Sequence, residues 1–126
     1  MPVSSKDLYE YASAIIKQNN VSEVMARTSI SRAYYAAYHH CLNFCNHNNI
    51  AIHKDKDTRS HEALEKALER VNSDNQAFNN KAKNMGQKLK LAKVKRTEAD
   101  YLINITVSQR RAQQYLSEVK RILSVK

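Results

Sequence analysis

Apolar residues recur along the chain at helical spacing in five stretches. In the first, from about Ser5 to Gln18, Leu8, Tyr11, Ala12 and Ile15 form one stripe, and Asn19-Asn20 ends it. The second, about Ser22 to His47, is the most distinctive, because no Asp, Glu, Lys or Arg occurs between Ala33 and His53. At about 100° per residue, Ile30, Ala33, Tyr34, Ala37, Cys41 and Phe44 share one face, and Met25, Thr28, Tyr35 and Leu42 share another. A helix apolar on several sides is buried on several sides, so this segment is expected to be the long central helix of a bundle. A polar loop follows, about Asn48 to Arg59. Ser60 reads as the N-cap of a third helix, His61 to Val71, with Ala63, Leu64, Ala67 and Leu68 inward and Glu62 suited to the helix dipole.

The fourth helix is expected over Asn75 to Arg96, on a stripe of Phe78, Ala82, Met85, Leu89 and Ala92. Arg96 continues that series, so a helix that reaches it turns Arg96 inward while the flanking lysines point out. Lys95 to Asn104 reads as a junction. A fifth helix is expected from a Thr106 cap to about Ser124, with Val107, Ala112, Tyr115, Val119 and Ile122 inward. The single glycine, Gly86, and single proline, Pro2, leave no punctuation for a β-sandwich, a dinucleotide-binding turn or a phosphate-cradling glycine loop. The predicted fold class is therefore all-α, a bundle of about five helices forming one domain over residues 1–126.

Charge adds a direction to this picture. Of the net +9, none comes from residues 1–80, which hold nine basic and nine acidic side chains. Residues 81–96 hold seven basic side chains and no acid, and residues 97–126 hold five basic and three acidic. Lys81, Lys83, Lys88, Lys90, Lys93 and Lys95 therefore read as a nucleic-acid-binding face, since clustered cations attract phosphates and release counterions. A solvated lysine face kept for solubility has the same pattern. No stretch approaches the length of a membrane span and the first residues hold no apolar signal core, so a cytoplasmic protein with no membrane partner is expected.

Candidate chemistry is sparse. Arg32 and His39 lie seven apart on the central helix, which returns them to nearly the same face with Tyr35 between them. An arginine that stabilises charge on a phosphate, beside a histidine that moves a proton near neutral pH, suits RNA cleavage without a metal. The spacing also fits a structural arginine ion-paired to an acid, with His39 a hydrogen-bonded core residue. Arg96, Glu98, Asp100 and Tyr101 form a second polar cluster, in which Asp100 is a natural partner for a buried Arg96, either as part of a site or as a knot joining two helices. Tyr34, Tyr35 and Tyr38 can stack on bases, although this spacing also suits core residues. Cys41 and Cys45 share a helix face, but His39 and His47 point away from it, so core cysteines and no metal site are expected. No serine nucleophile elbow, P-loop or His-Glu-x-x-His sequence occurs, and no cofactor is expected.

The stretch Ser31-Arg32-Ala33-Tyr34-Tyr35-Ala36-Ala37-Tyr38-His39 resembles the second-helix signature of the HEPN superfamily, and in particular its small stand-alone prokaryotic members. His61 after the loop and Arg96-Thr97-Glu98-Ala99-Asp100-Tyr101 fit the same group. The resemblance spans nearly the whole chain. It implies a helical bundle that forms a homodimer and acts on RNA, as a metal-independent endoribonuclease toxin or antiphage-defence effector. The alternative it implies is a non-catalytic RNA- or nucleotide-binding module, working with a partner such as a nucleotidyltransferase or another defence-system protein. In active members the motif is an Arg, four to six residues, then a His, placed before the last helix. Here that place holds Arg96 followed by Tyr101 rather than His, whereas Arg32 and His39 meet the spacing on the earlier helix. Three arrangements remain open. The catalytic pair has moved to Arg32 and His39, or a cleft combines Arg32, His39, Arg96 and Tyr101, or the chain is not a nuclease.

Overall fold

The computed structural model describes residues 3–56 and 58–126. Met1, Pro2 and Asp57 lie outside the described residues, and with them the beginning of the N-terminal stretch read above. The described residues form five α-helices and no strand: α1 (Ser5–Ile16), α2 (Glu23–His47), α3 (Ser60–Glu69), α4 (Gln76–Tyr101) and α5 (Gln109–Leu123). The long α2 packs against all four other helices, as its many-sided apolar surface requires. Ala33, Tyr34, Ala36, Ala37, Cys41 and Cys45 are all fully enclosed on it. No helix among the described residues is long and apolar enough to cross a membrane.

Side-chain caps start most helices. Ser4 and Asp7 form a reciprocal capping box on α1, and Ser22, Asn75 and Ser108 accept from Met25, Phe78 and Arg111 backbone N–H groups at the starts of α2, α4 and α5. Two expected caps differ. Arg59 holds the N-cap position of α3 with no side-chain bond, and Ser60 is instead the first helical residue, accepting from the Lys54 ammonium. At α5 the cap is Ser108 rather than Thr106, because the Val107 N–H is drawn to Glu23 Oε1 of α2 at 2.7 Å and the chain turns into the helix only afterwards.

On α1 the buried positions are Ala12 and Ile16, with Tyr9 partly covered, whereas Tyr11 is 58% exposed. The stripe is thus turned by about one position from that expected, and Ser29 of α2 donates from its hydroxyl to the Ala12 carbonyl at 2.8 Å. The largest difference is in α4, which continues through the expected junction to Tyr101. Residues 95–101 contain no helix breaker, and Arg96 and Asp100 pair one turn apart. The free carbonyls at the end of α4 also find a donor in Arg27 of α2. Its guanidinium bonds the carbonyls of Ala99 at 2.8 Å, Leu102 at 3.1 Å and Ile105 at 2.6 Å.

Gly86 sits where α4 crosses α3. A Cβ there would lie 3.0 Å from Leu68 Cβ and 3.2 Å from the Glu65 carbonyl oxygen, so the helices approach only because that atom is missing.

Candidate functional site around Arg96, Tyr34 and His61

Because α4 continues past Arg96, the arginine stays on the inward stripe, and its side chain is only 14% exposed. Charge and rings hold it there. Nε lies 2.8 Å from Asp100 Oδ2, although its N–H is not aligned with any acceptor. The guanidinium carbon is 5.5 Å from the ring centres of both Tyr34 and Tyr35, and one terminal nitrogen donates to the Tyr35 hydroxyl at 3.3 Å.

Tyr34 links this arginine to α3. The phenol is fully buried and its oxygen lies 2.6 Å from His61 Nδ1. Burial, followed by the nearby Glu65 carboxylate, raises the Tyr34 pKa well above the ordinary phenol value, so the hydroxyl keeps its proton. That proton has no other acceptor among the described residues, so Tyr34 donates, and the neutral imidazole carries its own proton on Nε2. Burial lowers the pKa of His61, and Lys93, Arg96 and Arg59 lower it further. Three cations therefore surround a half-buried, neutral imidazole whose tautomer is fixed. Tyr38 completes the cluster, with its ring 4.9 Å from His61 on one side and 5.4 Å edge-on from His39 on the other.

The structure joins only some of the residues singled out from sequence. Arg32 and His39 are both exposed on α2 and make no hydrogen bond or ion pair among the described residues, so Arg32 is not the buried arginine that the core reading requires. Arg32 and Asp100 line the same shallow cleft of about 300 Å³. Tyr101, 68% exposed, faces solvent away from Arg96. The lysines split to either side of α4. Lys95 is neutralised by Glu118 of α5, with Nζ 2.9 Å from each carboxylate oxygen, and Lys81 donates to the Lys126 carbonyl at 2.8 Å. Lys90 and Lys93 turn instead toward α3, while Lys83 and Lys88 are exposed.

Cys41 and Cys45 are buried core thiols, and burial pushes the Cys45 pKa up to about 11. Nothing in the spacing of the candidate residues pointed to the Tyr34–His61 bond or to the Glu65 carboxylate beside it. The available signals were the missing charge between Ala33 and His53, which marks Tyr34 as enclosed, and the four-residue step from His61 to Glu65, which puts both on one face of α3.

Compared with known proteins, the chain matches no family model, no curated protein and no solved structure.

Proposed function

We propose that this chain acts on RNA as a metal-independent endoribonuclease, the toxin or defence activity implied by its resemblance to HEPN proteins. The observation that carries this reading is the setting of His61, a neutral imidazole oriented by Tyr34 and ringed by Lys93, Arg96 and Arg59. A phosphate drawn to Lys93 and Arg59 would meet the His61 Nε2–H as a fixed hydrogen-bond donor, while His39, across the Tyr38 ring, is left to move the proton. In this arrangement Arg96 is a positioning residue, since its guanidinium is already engaged by Asp100 and two tyrosines. Arg32, exposed and unpaired among the described residues, is available to a phosphate.

Cleavage of a mixed-sequence RNA in EDTA tests this. His61→Ala is expected to slow cleavage by about a hundredfold or more, with His39→Ala and Arg32→Ala also impaired. Full activity in His61→Ala excludes the site. A second reading, a non-catalytic RNA- or nucleotide-binding module working beside a nucleotidyltransferase, is favoured by the enclosure of Arg96, which leaves the late motif without a free arginine. Salt-dependent RNA binding by a folded protein that does not cleave selects it.

The same resemblance supports a homodimer, and the solvent-facing Tyr101 and Ile103, the latter 86% exposed, offer apolar surface for it. Light scattering is expected to give twice the chain mass, falling to one chain mass in Ile103→Asp.

A further inference from the structure

The groove between α3 and α4 contains a carboxyl group whose buried oxygen has no hydrogen-bond partner among the described residues. Glu65 is 6% exposed, and its Oε2 is buried with no hydrogen bond. An unpaired buried acceptor is costly, and burial raises the Glu65 pKa accordingly; a donor from outside the fold removes that cost and favours the ionised carboxylate. Lys90 and Lys93 lie near enough to act on it, yet neither closes an ion pair with it. The groove is a cleft of about 550 Å³ that Glu65 lines with Val94 and Leu102; Glu62 and Glu98 in its wall are engaged by Lys66 and Arg111, which leaves Lys90 and Lys93 facing Glu65 and Glu69. Lys93 also acts on His61, so the cleft adjoins the imidazole described above.

A ligand that completes this cleft must meet three conditions. It must offer N–H donors to a carboxylate, be flat and apolar enough to lie against Val94 and Leu102, and carry negative charge to Lys90 and Lys93. Guanine in a nucleotide meets all three. Its N1–H and N2 amino group are parallel, coplanar donors spaced to suit a carboxylate turned into the cleft, whereas uracil has a single ring N–H and adenine and cytosine offer only an amino group. We propose that the α3/α4 cleft binds a guanine base, in RNA or as a free nucleotide, and that Glu65 is the residue that selects it. Within RNA this places the phosphate beside the guanosine at Lys93, next to His61. The RNA form of the assignment rests on the function proposed above, whereas the nucleotide form does not.

The test is equilibrium binding of GMP, AMP and four RNA pentamers, each with one guanosine, adenosine, cytidine or uridine at the centre of four adenosines. The guanosine pentamer is expected to bind about tenfold more tightly than the others, and GMP more tightly than AMP. Glu65→Gln is expected to abolish both preferences. Val94→Trp alters a side chain that is 51% exposed, so it fills the cleft without disturbing the core, and is expected to abolish them too. Equal affinity for all four pentamers, with GMP no tighter than AMP, overturns the guanine assignment and leaves the RNA reading standing. A GMP preference without RNA binding keeps the cleft and removes RNA as its source. Guanine preference that survives in Val94→Trp overturns the location. Absence of RNA binding together with no preference for GMP overturns both proposals.

Discussion

His61 shows how much one residue's behaviour depends on neighbours distant in sequence. Its partner Tyr34 lies 27 positions earlier, and two of the cations that lower its pKa come from α4. In the unfolded chain those neighbours are absent and the imidazole takes up a proton near its ordinary value of 6.5. The folded state binds that proton less readily. The contribution of His61 to stability is therefore fully present above about pH 6.5 and is lost as pH falls through that value toward the lower folded one. Urea unfolding between pH 7.5 and 5 is expected to show a steeper loss of stability for the wild type than for His61→Asn. The inward direction of Arg96 was legible in the sequence, because it falls on the series set by Leu89 and Ala92. The Tyr34–His61 bond was not, because it depends on where a polar loop of about twelve residues returns the chain.

Among the elements, α4 departs most from its sequence reading, and the reason is a residue on another helix. Propensity allowed residues 95–101 to be helical, but a helix end also needs its last carbonyls satisfied. Arg27 supplies three hydrogen bonds at that end from within α2, and Glu23 one turn earlier accepts from Val107 at the start of the next segment. No local pattern around residue 100 announces an arginine more than 70 positions away. Arg27→Met, which keeps the aliphatic stem and removes the donors, is expected to cost about 2–3 kcal/mol of unfolding free energy. Hydrogen exchange is expected to speed up at the end of α4 while the amides of α1 stay protected. Fraying of α1 before α4 would contradict this account. The bounds of α2 and α5 lie within two or three residues of their sequence reading, since burial of their own apolar faces decides most of their length.

Across the whole molecule, the concentration of charge in the last third was visible in the sequence, but its division was not. The lysines of α4 leave the helix on both sides of one buried stripe, and the neighbour on each side determines what they do. On the α5 side Lys95 is spent on Glu118, whereas Lys90 faces the α3 cleft with no ion pair among the described residues. If RNA lies along α3 and α4, Lys90→Gln is expected to lower the slope of log affinity against log salt by about one. Lys95→Gln is expected to leave that slope nearly unchanged. Equal effects of the two substitutions would mean that nucleic acid follows the other side of α4, or neither.

The width of the α3/α4 cleft is governed by the atom that Gly86 lacks. An added methyl would meet Leu68 and the Glu65 backbone at once, so α3 would have to yield by a few tenths of an ångström, carrying Glu65 with it. Gly86→Ala is thus a spacer experiment, in which every side chain lining the cleft stays and only the clearance between its two walls changes. Ala also favours the helix by about 1 kcal/mol over Gly, so the melting temperature is expected to move little while guanine preference falls. A binding site tuned in this way has its selectivity set by clearance as much as by chemistry, and Gly86 holds that clearance from the rear of the site, without touching the ligand.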